Sequence, residues 1–237
     1  MLVLMFLCTI IQLLRVSVLE KNVFLVEIWA VVRIFRDYSE ISLKVDDSKG
    51  VMDFEKIFGR CGVVHVEVGS GKGAFLLSEA KEKTGEDFLG IEWARRYYRY
   101  AVDRIGRWGL KNVRLVRADV ADFIARHIGD NSVDCFHIYF PDPWPKKRHH
   151  KRRFFSVSNL QQMIRCLKCG GAIQISTDYA EYFDQIKQIV SSESRLDETE
   201  FVRPLGAEDG ELVGTNYERK YIKDGRDIYT IAAKKIT

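Results

Sequence analysis

Five short apolar runs constrain this chain most: Val63 to Val68, Phe88 to Glu92, Val113 to Val116, Val133 to Phe140 and Ala172 to Ser176. The segments between them have helical length and mixed polarity. Strands alternating with helices call for a parallel sheet with helices on both faces. Near the C-terminus, Lys220-Tyr221-Ile222 and Asp227 to Ala233 flank Lys223-Asp224-Gly225-Arg226. That pattern predicts a hairpin and an antiparallel edge to the sheet. In such α/β sheets ligands bind at the carboxyl ends of the strands.

The 237 residues suit one α/β domain with an appendage. Residues 16 to 45 are rich in Val, Ile, Phe and Leu, and Ile41, Leu43 and Val45 alternate with polar neighbours. Residues 1–50 therefore form an N-terminal extension, expected to be β-rich, and residues 51–237 form the main domain. Met1 to Leu14 carries no charge, but it is shorter than the roughly 20 residues a membrane helix needs. It also lacks the basic start and cleavage site of a signal peptide. A buried or interface-covering element is expected there, with no stable membrane association.

Five cysteines, at positions 8, 61, 135, 166 and 169, form no disulfide framework and fit a reducing, cytoplasmic setting. Cys166 and Cys169 have redox or metal spacing, yet no second such pair accompanies them and Gly170-Gly171 follows as a helix stop. Two reduced cysteines at a helix end are expected, and no metal site.

Val64 to Gly73 reads as a strand entering a glycine turn and then a helix. Gly69, Gly71 and Gly73 give a GxGxG spacing, not the GxGxxG of dinucleotide sites. Glu67, two residues earlier, would repel a pyrophosphate. A carboxylate there suits a cationic ligand such as S-adenosylmethionine, with its amino group and sulfonium. Glu92 ends the second strand, where an acid can accept both ribose hydroxyls. Asp119 ends the third, where its carboxylate can take an adenine amino group or simply cap a helix. His65, on the first of these strands, is expected to pack in the core.

Asp142 lies in the turn Phe140-Pro141-Asp142-Pro143-Trp144-Pro145, stiffened by its prolines. Lys146, Lys147, Arg148, His149, His150, Lys151, Arg152 and Arg153 follow without an acidic residue. A rigid polar pocket beside a dense cationic tract fits a base being handled while a phosphate backbone is gripped. The net charge of +4 is modest, so this run acts as a local patch. Trp144 either stacks on a base or packs the turn.

Together with Gly90-Ile91-Glu92, Ser176-Thr177-Asp178 and Thr215-Asn216-Tyr217-Glu218, these motifs resemble the bacterial tRNA (guanine-N7-)-methyltransferase family over roughly residues 53 to 235. The resemblance implies a Rossmann-like S-adenosylmethionine-dependent methyltransferase fold. It implies a guanosine in the tRNA variable loop as substrate and 7-methylguanosine as product. By motif position it assigns Glu67, Glu92, Asp119 and Asp142 to the methyl donor, with Asp142 also in the active site. Lys146, Asp178, Thr215, Asn216, Tyr217 and Glu218 match the family's tRNA-substrate positions. The hydrophobic first fifty residues and the Cys166/Cys169 pair depart from the family pattern.

Guanine N7 has an in-plane lone pair, so alignment rather than a base is required, and Asp142 can stabilise the positive charge that methylation places on the purine. Rival expectations are an exocyclic-amine RNA or DNA methyltransferase, a non-catalytic RNA-binding protein, and a membrane-associated protein. Monomer and homodimer both fit the sequence.

Overall fold

The computed structural model describes residues 35–44 and 50–236. The expected apolar segment at 1–14, most of the β-rich extension and residues 45–49 near its boundary lie outside them. Residues 35–44 belong to the same compact unit as the rest of the described chain. Ser42–Leu43 (β1) joins the main sheet and Ile41 is buried in its core.

Seven further strands complete the sheet: β2 (Val64–Val68), β3 (Asp87–Ile91), β4 (Val113–Val116), β5 (Val133–Tyr139), β6 (Leu167–Thr177), β7 (Leu196–Thr199) and β8 (Tyr229–Lys235). Their order is β1-β4-β3-β2-β5-β6-β8-β7. The first six of these strands run parallel, and β8 is antiparallel to both β6 and β7. Among the described residues, seven helices connect them: α1 (Phe54–Phe58), α2 (Ala74–Glu82), α3 (Arg95–Arg107), α4 (Val120–His127), α5 (Val157–Cys166), α6 (Ala180–Ser191) and α7 (Asn216–Lys223). Every residue of β2 and β3 is buried, as a sheet covered on both faces requires. Two apolar clusters, one built around Val66, Phe136 and Ile175 and the other around Phe75, Phe88 and Leu115, make up the core.

The mostly parallel sheet and its antiparallel edge agree with the sequence pattern, but the edge is made differently. Lys220-Tyr221-Ile222 is helical, not the first arm of a hairpin. Thr215 accepts a hydrogen bond from Glu218 N at 3.1 Å, an N-cap that starts α7, and the Thr-x-x-Glu spacing of a capping box marks that start. The antiparallel partners of β8 are instead β6 and β7. Helix α5 also ends earlier than Gly170, at Cys166, because β6 begins at Leu167. Cys166 is buried at that helix end, Cys169 is exposed in the strand, and both are free thiols.

The chain continues from β2 to β3 on one side and reaches β5 on the other. That reversal between β2 and β5 opens a crevice at the strands' carboxyl ends.

Candidate active site

The Gly turn closes β2 into α2 above this crevice. Gly69 and Gly71 have φ of 72° and 53°, and a Cβ at Gly69 would meet nothing within 4 Å. The left-handed backbone therefore selects glycine there, while the space over the turn stays open for a ligand. Gly73 serves packing as well: its φ is 65° and a Cβ would press on Ala101 and Ile105 at 3.1 Å. That close approach seats α2 against α3.

A cavity of about 240 Å³ lies over the turn. Glu67, Gly69, Gly71, Thr215, Asn216 and Tyr217 line it, so the structure brings together expected residues from distant parts of the chain. Glu67 is 5% exposed, and its Oε2 is buried without a hydrogen-bond partner. Burial pushes its carboxyl well above the usual range, and the nearby Glu92 charge pushes it further. A buried carboxylate oxygen left unsatisfied beside open space calls for a cationic or N–H donor group. Ser70 Oγ, also in the lining, is unpartnered too.

Glu92 is buried one residue past β3, and its two oxygens accept from Gly71 N and Ala94 N, each at 2.7 Å. It therefore ties the Gly turn to the start of α3. Asp119 is exposed and caps α4, accepting from Asp122 N at 3.0 Å. Neither acid is in the cavity lining. Phe75, Tyr97, Tyr139 and Lys220 line it and were not expected from the sequence. Tyr139 shares a sheet face with Glu67 through strand alternation, and Lys220 lies one helical turn after Asn216. Both signals were present in the spacing.

Asp142 lies three residues beyond β5 and is exposed. Its carboxylate reaches electrostatically to the phenols of Tyr217 and Tyr221, which burial holds above their ordinary range and nearby charges raise further. The Pro-rich turn is held at both ends by left-handed non-glycine residues, Phe140 at φ 53° and Trp144 at φ 43°. Trp144 meets His149 edge-on and carries the Arg152 guanidinium 4.9 Å from its ring centre.

Buried on the same face of β2 and β5 is a chain of polar rings. His65 Nε2 meets Glu86 Oε2 at 2.7 Å, His65 Nδ1 meets His137 Nε2 at 2.9 Å, and His137 Nδ1 meets the Tyr139 hydroxyl at 2.8 Å. Burial lowers both histidines and keeps them neutral. His65 also stacks on Phe88, in keeping with a packing role. With Cys135 these histidines form a trio of ligand-type atoms, all within 4.8 Å of one another.

Residues 62–231 match a sequence family described as "Putative methyltransferase". The tRNA (guanine-N(7)-)-methyltransferase of Alkalilimnicola ehrlichii is 33% identical over 184 residues, covering 78% of this chain and 77% of that protein. The enzyme of the same name from Rhodopirellula baltica is 32% identical over 200 residues, covering 80% and 72% respectively. The chain belongs to the tRNA (guanine-N(7)-)-methyltransferase family. A SAM-dependent methyltransferase structure from Aquifex aeolicus superposes with a TM-score of 0.51 at 17% identity, over 81% of this chain and 90% of that one, and shows the fold alone.

In this member of the family, three residues expected at the RNA, Arg153, Glu218 and Asp178, are engaged by protein partners. Arg153, expected in the RNA-contacting run, is 5% exposed and turned inward. Its guanidinium donates to Pro143 O at 2.8 Å and Gln185 Oε1 at 2.6 Å and lies over the Tyr182 ring. Glu218 is fully buried and accepts from the backbone N–H groups of Leu212, Val213 and Gly214. It shapes the loop before α7 and has no free oxygen edge for a base. Thr215 lines the cavity, and its hydroxyl oxygen accepts the cap bond of that helix while its O–H is still able to donate. Asp178 is paired with Arg226 at 2.6 Å. Lys146, Lys147, Arg148, Lys151 and Arg152 remain exposed, and His149 and His150 are half-buried in the same 3₁₀ turn.

Arg153 thus acts on the turn that carries Asp142. Arg153→Ala is expected to destabilise the fold by about 1–2 kcal/mol, since it leaves two partly buried acceptors unpaired. Urea unfolding checks it, and a loss below about 0.5 kcal/mol would show that the turn holds its own shape.

Proposed function

We propose that this chain transfers a methyl group from S-adenosylmethionine to N7 of a guanosine in the variable loop of tRNA. The observation that carries the reading is the buried, unpartnered Glu67 oxygen over a glycine turn, in a chain of this family. Bound S-adenosylmethionine supplies an electrophilic methyl carbon on a sulfonium.

Glu67 would hold the donor's cationic end, because a ligand cation offsets the desolvation of its carboxylate. Glu92 holds the glycine turn through Gly71 N and would stand near the ribose. Asp119, exposed and partly engaged as a cap, would keep one oxygen edge for an adenine amino group. Tyr139 and Phe75 form an aromatic wall, packed edge-to-face at 5.1 Å, that excludes water from the donor. Asp142 would stand across from the entering guanine and stabilise the charge that develops on it. The exposed cations of the 146–152 turn would hold the RNA backbone without reading sequence.

Incubation with methyl-labelled donor and unmodified tRNA transcript, followed by nucleoside analysis, tests the assignment. Label in 7-methylguanosine is the expected result. Label in N6-methyladenosine or another exocyclic amine would move the chemistry to a different atom. Absence of transfer with tRNA still bound would make the chain a binding protein.

A further inference from the structure

Many of the described arginines are paired. Arg60, Arg107, Arg165, Arg195, Arg219 and Arg226 each hold a carboxylate within 2.5–2.8 Å. Besides the arginines of the 146–152 turn and Arg203, one cluster departs from this pattern. Arg95, Arg96, Arg99 and Arg117 are exposed, and none forms an ion pair among the described residues. Arg117 lies 5.8 Å from the Trp93 ring centre and Arg99 the same distance from Phe35, neighbours that leave the charge unneutralised. Trp93 itself is 64% exposed, an unusual state for the largest side chain.

The placement of the patch gives it meaning. Trp93 follows β3, Arg117 follows β4, and the three other arginines stand on the first turns of α3. In the sheet order β3 and β4 flank β2 on one side, while the Asp142 turn and its basic run leave β5 on the other. Tyr97, on the same helix, lines the cavity. The arginines therefore continue outward from the cavity rim, opposite the 146–152 turn. Unneutralised guanidinium groups next to an exposed aromatic ring fit a polyanion that also offers a stacking face, which is RNA.

We propose that Trp93, Arg95, Arg96, Arg99 and Arg117 form a second RNA-contacting face. It holds a part of the tRNA remote from the methylated loop: the arginines meet phosphates and Trp93 stacks on an unpaired base. This rests on tRNA being the substrate, as proposed above. Methylation then depends on two faces bracketing the cavity, so a full tRNA is a better substrate than its isolated variable-loop stem.

The experiment compares wild type, the quadruple Arg→Ala variant of residues 95, 96, 99 and 117, the matching quadruple Arg→Lys variant, and Trp93→Ala. Donor affinity is measured by calorimetry for each, and tRNA binding is followed against salt concentration alongside kcat and KM. The Ala variant is expected to raise KM for full tRNA tenfold or more while kcat changes less than about twofold. Its log-log salt slope should flatten by ~3–4, roughly 0.7–0.9 for each of the four phosphates it no longer meets. The Lys variant should keep the steep slope, and Trp93→Ala should weaken binding without altering it. An Ala variant with wild-type KM and slope, while wild type methylates tRNA, overturns the second face. Failure of wild type to methylate any tRNA instead removes the reading on which it rests.

Discussion

Glu67→Gln is expected to weaken S-adenosylmethionine binding about a hundredfold and, at the same time, to stabilise the ligand-free protein at neutral and alkaline pH. The first effect follows from removing the charge that faces the donor's cationic end. A hundredfold is about 2.8 kcal/mol, at the lower end of what truncating one partner of a buried charge pair brings. The second follows from proton linkage. Burial raises the Glu67 carboxyl in the folded state above the ordinary value of 4.5, so the folded chain holds a proton that the unfolded chain has released. Stability contributed at this site therefore falls as pH rises from about 4.5 to the raised folded value, and is fully lost above it. A glutamine side chain carries no such penalty. The stability gap between the Glu67→Gln variant and wild type should open with rising pH and close again on acidification below about 4.5. Thermal unfolding across pH, with and without donor, reads both effects. Equal donor affinity in the two proteins would remove Glu67 from the binding site.

Asp142→Ala is expected to lower kcat by about 10²–10³, the range typical when one preorganised electrostatic partner of a developing charge is removed. Donor affinity should change little if Asp142, exposed three residues beyond β5, faces the entering guanine and not the donor. Asp142→Asn separates two roles. If charge stabilisation dominates, Asn fails as badly as Ala. If the side chain holds the guanine edge by hydrogen bonding, Asn retains much of the rate. Single-turnover kinetics with saturating donor and tRNA make the comparison. An Ala variant within threefold of wild type would exclude Asp142 from the chemistry.

The sheet and the glycine turn were legible in the sequence because both rest on local rules. Apolar runs mark buried strands, and glycines at fixed spacing mark a left-handed turn. The roles of Arg153, Glu218 and Asp178 were not legible, since each depends on a partner that the fold supplies. Arg153 reads as one more cation in a basic run, and only the nearby Pro143 carbonyl and Gln185 turn it inward. Glu218 reads as a polar motif residue, yet three backbone N–H groups close around it. The mistaken hairpin had a readable remedy, because Thr215 and Glu218 are spaced as a capping box. Tyr139 lay within reach through strand alternation alone. Lys220 needed the helix to be recognised first.

The ring chain behind the cavity has a direction. The Glu86 carboxylate, which also lies 3.6 Å from Lys83 Nζ, can only accept, so His65 must donate from Nε2 and accept at Nδ1. His137 then donates from Nε2 and accepts at Nδ1, where the proton comes from the Tyr139 hydroxyl. A half-buried acid two rings away thereby dictates the tautomer of two buried imidazoles and the orientation of a phenol. Tyr139 has no proton left to offer a ligand. At Tyr139 the cavity wall therefore offers a hydroxyl lone pair and no proton, and it filters by polarity: a positive or N–H group is accommodated there, and a phosphate pressed against it would find no donor from that hydroxyl.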